Sequence, residues 1–466
     1  MPRKKYRGHN HDQLLLLPPD LNEWLPENHL ARFISDVVDR LDTSAITEPY
    51  ERELRGYPPY HPVMLLKVLI YAYCSGIFSS RKIAAACVDV VAFRWLSANQ
   101  CPDFRTISDF RKRHLHVFKE LFLQVLQIAQ SAGMVKMGHV ALDGTKIRAN
   151  ASKHKAMSYG RMKQEEQRLR QEIAEMVREA ERTDRREDKL YGDARGDELP
   201  EELARRQSRL AKIQEAMAAL EAEERAKAEA EQAQSEDPDD KDDDERDEGE
   251  GPSGGGQCHG RKGRSAVKAV PKDKAQRNFT DPESRIMPSK DGFVQAYNVQ
   301  SVVDEKCQII VATEVTNSPN DAGVLRTLVE MAEQNTGRVP KKLSADAGYY
   351  AQDDVVWLEE RGVDPYIATG RQKHGEVPVC PRGRIPKSYT PKQRMARKLM
   401  TKRGRAIYAK RKVIVEPVYG HIKACMGFVR FSLRGLAKVR GEWSLVAMCH
   451  NLLKIFRYGR SKPATV

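Results

Sequence analysis

The sequence predicts a mixed-sheet α/β domain that is entered through an all-α domain and interrupted by a long antiparallel helical hairpin. Three observations predict this. Between residues 30 and 129 apolar side chains recur at intervals of three and four, the period of an amphipathic helix. From His139, and again from Phe293, the pattern changes to short runs rich in Val, Ile, Leu and Thr, which is strand composition. Between those runs lie two stretches whose apolar residues repeat at three, four and seven, the spacing of a helix–helix seam.

The chain has 466 residues, enough for two to four domains at ~100–200 residues each. Its 79 Lys+Arg against 65 Asp+Glu give a net charge of +14, which excludes an acidic solvating protein and points to polyanionic partners. No run approaches the ~20 apolar residues of a membrane span, and Leu14–Leu17 is stopped at once by Pro18 and Pro19. A cytoplasmic protein without membrane partners is therefore expected. Eight cysteines without a CxxC pair give neither a disulfide framework nor a zinc ribbon, and most are expected to be small buried hydrophobes.

In chain order, Arg3, Lys4, Lys5 and Arg7 lack periodicity, so residues 1–27 read as a basic arm and lead-in. Phe33, Ile34, Val37, Val38 and Leu41 give a first amphipathic helix, and His61–Tyr73, apolar nearly all round, a buried one. Ser79 or Ser80 caps a third helix running to about Leu96, and Thr106 with Asp109 reads as a capping box before a helix from Phe110 to Ala129. Residues 28–132 thus read as an all-α domain. Val140–Asp143 then looks like a buried strand ending in a carboxylate.

Two seams follow: Met162, Leu169, Ile173, Met176 and Ala180, then Leu203, Leu210, Ile213, Met217 and Leu220, with a polar turn from Tyr191 to Pro200. They predict a helical hairpin over 156–235. Glu236–Glu250 holds eleven acidic residues against two basic ones, and with the glycines behind it 236–275 reads as a disordered linker. From Phe293 two alternating strands turn at Asp304–Lys306, and Ser318–Asp321 opens a helix carrying Leu325, Leu328 and Met331. Lys342–Gly348 is a buried strand carrying a second carboxylate. A helix at Val355–Arg361, a strand at Pro365–Thr369 and a basic helical segment complete an α/β domain of residues 133–155 and 276–456, with a tail at 457–466.

Asp143 and Asp346 sit in short apolar strands, where a charge costs several kcal/mol unless it is paired or holds a metal. On neighbouring strands their carboxylates converge at one edge, a set of hard oxygen donors for Mg²⁺ or Mn²⁺. A third acid is needed to hold two ions about 3.5–4 Å apart. Glu416 is the candidate, in a segment where Tyr408, Val415, Tyr419, Ile422 and Met426 recur at helical spacing. The plainer alternatives are that each Asp forms a turn with its nearby glycine and that Glu416 faces solvent; Pro417 either kinks this helix or makes Glu416 the cap of a new one. From Arg371 to Lys423 there are sixteen Lys+Arg and two acids, Glu376 and Glu416, which reads as a phosphate-binding surface or as a soluble basic face.

ALDGTKIRANAS (141–152), DPESRIM followed by GFVQAYNVQSVVDE, SADAGYY (344–350), YAKRKVIVEPVYGHIK and FSLRGLAKVRGEWSLVAMCHNLLK resemble a bacterial insertion-sequence transposase of the DDE type. HPVMLLKVLIYAYCSGIFSSRKIAAACVDVVAFRWL and PDFRTISDFRKRH resemble the helical N-terminal domain of these proteins, so the likeness covers nearly the whole chain. It implies a ribonuclease-H-like catalytic fold whose metal-binding acids, on the first strand, the fourth strand and a late helix, fall on Asp143, Asp346 and Glu416. The family's Tyr-Arg-Glu-Lys signature is matched by Tyr408, Arg411, Glu416 and Lys423. Four residues separate Arg411 from Glu416 where the family has three, a gap that Lys412 would restore.

The resemblance implies cut-and-paste transposition. Terminal inverted repeats of double-stranded DNA are bound, cut and joined to target DNA by metal-dependent phosphoryl transfer with two Mg²⁺, or Mn²⁺ in their place, by a homodimer on nucleoid DNA. Arg411 and Lys423 would hold phosphates and Tyr408 would pack on a base or sugar. Arg81, Lys82, Arg111, Lys112 and Arg113 of the helical domain would contact the element ends. The alternatives are a metal-dependent nuclease of the same fold, which cuts without end recognition or joining, and a non-catalytic DNA-binding derivative.

Overall fold

The structure is a computed structural model that describes residues 20–52, 58–191, 201–234, 270–289, 292–370, 380–386 and 388–461. The basic arm up to residue 19, the hairpin turn 192–200 and the stretch 235–269, most of the expected linker, lie outside them. Contacts divide the chain into two compact units, residues 1–150 with 286–466, and residues 151–285.

The first unit begins with α1 (Leu21–Trp24), α2 (Leu30–Val38), α3 (Ser44–Glu51), α4 (Pro62–Cys74), α5 (Ser80–Asp89), α6 (Val91–Leu96), α7 (Phe104–Arg113) and α8 (Phe118–Ser131), followed by β1 (His139–Arg148). The second unit supplies β2 (Ala156–Ser158), α9 (Tyr159–Tyr191), α10 (Glu201–Gln234) and β3 (Gln276–Asn278). After β4 (Arg285–Ser289) the first unit continues with β5 (Gly292–Asp304), β6 (Ile310–Thr316), α11 (Leu325–Thr336), β7 (Lys342–Ala345), α12 (Gln352–Glu360), β8 (Asp364–Ile367), α13 (Pro391–Met400), α14 (Lys402–Gly420) and α15 (Leu436–Ser461).

Local chemistry moved several helix boundaries. The expected third helix is broken at Val90, whose extended backbone separates α5 from α6. Thr106 and Asp109 are not a capping box, because Asp103 caps the helix earlier by accepting from the Arg105 amide at 2.8 Å, and α7 stops at Arg113 before α8 begins. Ser318–Asp321 does not open a helix either; α11 starts at Leu325. Nor are the cysteines mostly buried: of those described, Cys74, Cys87 and Cys449 are buried, Cys307 is half-buried, and Cys101, Cys380 and Cys425 are exposed.

The main sheet has the order β4-β5-β1-β7-β8, with β6 also paired to β5. β5 runs antiparallel to β1 and β6, while β7 lies parallel to β1 and β8 parallel to β7, giving the expected mixed sheet. β1 does not end at Asp143; its pairing with β5 continues to Arg148.

The N-terminal helices share a core with the long C-terminal helix rather than standing as a body of their own. α15 packs on α4, α8 and β6. Ile34, Leu66, Phe118, Phe428 and Trp443 are almost fully buried, each such side chain stabilising the fold by roughly 1.5–3 kcal/mol. α15 also completes an edge of the sheet: the Asn451 amide accepts from the Ile310 N–H at 3.0 Å and donates to its carbonyl at 2.9 Å, and the Trp443 indole donates to Thr313 at 2.6 Å. Among the described residues no helix is long and apolar enough to cross a membrane.

In the second unit α9 and α10 pack as the seams require. Met162, Leu169, Ile213 and Leu220 are buried with Tyr159, and Leu210 and Met217 pack against them. β2 and β3 pair antiparallel, and Arg277 and Arg285 both reach Glu223.

Candidate active site

β1 and β7 run parallel with Ala141 opposite Ser344. Two residues further along each chain stand Asp143 and Asp346, so the register places the two carboxyl-bearing residues side by side where β7 leaves the sheet. Strand alternation turns Asp143 and Thr145 to one face and Gly144 and Lys146 to the other.

On the first face lies α14. Arg411 Nη1 donates to Asp143 Oδ2 at 2.8 Å, with the two side chains 12% and 18% exposed, and the Gly144 amide donates to Oδ1 at 2.8 Å. The Tyr419 hydroxyl donates to the Asp143 carbonyl at 2.7 Å, and Lys423 Nζ to Thr145 Oγ1 at 2.6 Å and to the Lys146 carbonyl at 3.1 Å. Lys423 sits in a π-helical turn, His421–Cys425, that continues α14. The chain then returns to β1, where the Arg148 carbonyl accepts from the Phe431 amide. Tyr408 lies one turn before Arg411, whose guanidinium covers its ring at 5.8 Å. With Arg405 and Lys412 it lines a cavity of about 520 Å³ beyond the end of β8.

Burial pushes the Asp143 carboxyl up to about 6, against the pull of Arg411 and the Gly144 amide and with the negative charges of Asp346 and Asp321 adding to it. A carboxylate that remains short of positive charge with an arginine at 2.8 Å is suited to a further cation. Asp346 begins the turn Ala347–Tyr349, accepting from the Gly348 amide at 2.9 Å.

Glu416 is on α14 as expected but exposed, and it makes no hydrogen bond or ion pair among the described residues. Pro417 neither ends the helix nor makes Glu416 a cap. α14 runs through it, and the Val413 carbonyl, deprived of its intrahelical donor, accepts from Gln308 Nε2 at 2.8 Å. Among the described residues no three His, Cys, Asp or Glu side chains are already gathered to hold a metal ion. Asp143 and Asp346, side by side at the neighbouring strands β1 and β7, offer the kind of oxygen donor that a hard divalent cation takes, and Glu416 is not gathered with them.

On the opposite face is a group not anticipated from the sequence. Asn298 and Gln300 stand opposite Lys146 and Gly144 and donate to Asp321 Oδ1 at 2.7 and 2.6 Å. Tyr349 donates to Gln300 Oε1, and Lys146 lies 3.7 Å from Asp321. A Cβ on Gly144 would stand 2.7 Å from the Gln300 amide, so the absence of a side chain there lets the network form. Two amides two residues apart in a buried strand are the signal that could have revealed it, because both need partners on one face.

Of the basic residues proposed for the helical domain, Arg81, Lys82, Lys112 and Arg113 are exposed, with Arg81 over the Phe104 ring and Arg113 over the Tyr50 ring. Arg111 does not belong with them. It is 6% exposed and donates to the Tyr73 hydroxyl at 3.0 Å and to the Phe78 carbonyl at 2.8 Å. Tyr73 in turn donates to Glu442 of α15, whose other partners are the Ser432 and Leu433 amides. The correction follows from helix geometry: on α7 Arg111 shares the inward face with Ile107 and Phe110, so its charge is taken into the core.

A transposase domain model matches residues 19–113 and a transposase DDE domain model matches residues 265–452. The second match contains Asp346 and Glu416, while Asp143 falls between the two. No curated protein and no solved structure matches the chain. The DDE domain implies a ribonuclease-H-like fold, with which the mixed sheet and its flanking helices are consistent. One transposase model at each end of the chain, the second of the DDE type, supports an insertion-element transposase.

Proposed function

We propose that the chain binds the terminal inverted repeats of its element as double-stranded DNA, cuts at their ends and joins the freed 3′ ends to target DNA, acting as a homodimer. The observation that carries this reading is the register that sets Asp143 beside Asp346, with Arg411, Tyr419 and Lys423 of one helical segment fastened to the same strand. Asp143, Asp346 and Glu416 would hold two divalent cations, Mg²⁺ or Mn²⁺, which supply Lewis-acid activation of water and stabilise the departing 3′ oxygen. Tyr419 and the Gly144 amide fix the strand and carboxylate of Asp143. Arg411 and Lys423 place two positive charges where phosphates beside the scissile bond would lie, and Tyr408 supports the Arg411 guanidinium. Arg81, Lys82, Lys112 and Arg113 present an exposed basic face for the element ends.

The test is strand cleavage and mobility shift on Asp143→Ala, Asp346→Ala and Glu416→Ala. Cleavage is expected to be lost in each while end binding persists, since affinity comes mainly from phosphate contacts. Retained cleavage in the Glu416 variant removes that residue from the metal-holding set. Wild-type cleavage of DNA lacking element ends, without joining, identifies a nuclease of the same fold. End binding without cleavage identifies a non-catalytic derivative.

A further inference from the structure

In the second unit a cavity of about 420 Å³ opens at the base of the hairpin. Its rim carries Lys155 from the turn before β2, Arg161 from the first turn of α9, and Arg209 and Lys212 from α10. Its floor includes the buried Ile213 and the half-buried Phe279. Elsewhere on the hairpin many basic side chains are neutralised in place: Arg168 by Glu165 and Glu172, Arg170 by Glu166, Arg225 by Glu221 and Lys227 by Glu224. At the cavity only Arg209 has such a partner, Glu165, at 2.9 Å. Lys155, Arg161 and Lys212 form no ion pair among the described residues.

Three cations without an ion-pair partner among the described residues, Lys155 and Arg161 from one short stretch of chain and Lys212 from the distant α10, face one hollow and make it favourable to an anion. The apolar floor supports the hollow while the charged heads stay at its rim. One small anion does not need three side chains set around so wide an opening. A chain of phosphates does. We propose that this cavity grips the phosphate backbone of duplex DNA, making the insertion a DNA-binding element in its own right. The proposal rests on the transposase reading for its ligand, but on no residue of the candidate active site.

The test uses the full chain, with salt titrations of binding to an element-end duplex and to a scrambled duplex of equal length. The triple variant Lys155→Ala, Arg161→Ala, Lys212→Ala is expected to bind both duplexes about 10- to 100-fold more weakly at physiological salt. Its slope of log affinity against log salt should be smaller by about 0.9 per lost contact. A charge-matched triple in the paired region, Arg170→Ala, Arg225→Ala, Lys227→Ala, should stay within about twofold of wild type, because its charges are already neutralised. The swap Lys155→Arg, Arg161→Lys, Lys212→Arg should keep most of the affinity.

Unchanged binding in the cavity triple, or an equal loss in the paired-region triple, overturns the proposal. A swap as weak as the alanine triple also overturns it, since charge would then not be what binds. Inorganic phosphate binding as tightly as the duplex would assign the cavity to a small anion instead. Failure of the wild-type chain to bind either duplex would defeat the transposase reading itself, and this proposal with it.

Discussion

Asp143 is pulled in opposite directions, by burial toward its neutral form and by Arg411 toward its charged form, and burial prevails. Its folded pKa, about 6, lies above the ordinary aspartate value, so the stability it contributes is present below about pH 4 and is lost as the pH rises through 6. Asp143→Asn removes that dependence and leaves Arg411 equally unpaired at every pH. The unfolding free energy of wild type relative to this variant, from urea titrations, is therefore expected to fall by roughly 2–3 kcal/mol between pH 4 and pH 7. A difference that stays flat across that range would show that Asp143 is not held this way. Arg111 gives a second prediction at this scale. Arg111→Ala leaves the polar group around Tyr73 and Glu442 without its cation and is expected to cost about 3–5 kcal/mol in thermal or chemical unfolding. Arg81→Ala and Lys82→Ala should change stability by less than about 0.5 kcal/mol while weakening end binding. Equal stabilities for the three would return Arg111 to the surface.

At the scale of the element, α15 is the part whose role the sequence concealed. Asn451 substitutes for a missing strand beside Ile310, pairing with both its N–H and its C=O. Asn451→Ala is expected to cost about 2–3 kcal/mol, because both groups are then buried without partners, and Asn451→Asp should recover little, having lost the donor. Amide hydrogen exchange at Ile310 would report the change directly.

Strand and helix periods read well where one face is buried: Val415, Tyr419, Ile422 and Met426 do face inward, and the hairpin seams pack as spaced. Reading failed where a single polar contact decided the outcome. Asp103 outcompeted Thr106 as a cap, and Asp321 was drawn to two strand amides instead of a helix start. Of the candidate site, the two aspartates could be found because a charge in an apolar strand is costly. The exposed setting of Glu416 and the inward turn of Arg111 depend on which way a helix is rotated by contacts remote in sequence.

At the scale of the molecule the two units make separate predictions. Ile213→Ala, in the core of the hairpin, should cost about 2–4 kcal/mol within the second unit. Hydrogen exchange should then quicken in residues 151–285 and stay unchanged around Trp443 and Phe118 in the first unit. Quickening everywhere would mean that the chain unfolds as one cooperative body.

The small β2–β3 ladder bears on how the sheet is assembled. β1 and β5 are antiparallel neighbours, yet the whole second unit intervenes between them in the chain. Pairing them from an unstructured chain closes a very long loop, and each doubling of loop length adds about 0.6 kcal/mol of entropy to the barrier. Once Ala156–Ser158 has paired with Gln276–Asn278, the intervening segment is already tied at its base, and only two short flanks are left to close. The insertion would then act as a clasp formed in advance, and the slow step of refolding should track its stability. Stopped-flow refolding of Ile213→Ala against wild type would show this as a slower appearance of sheet structure, even though Ile213 belongs to the second unit and the main sheet to the first.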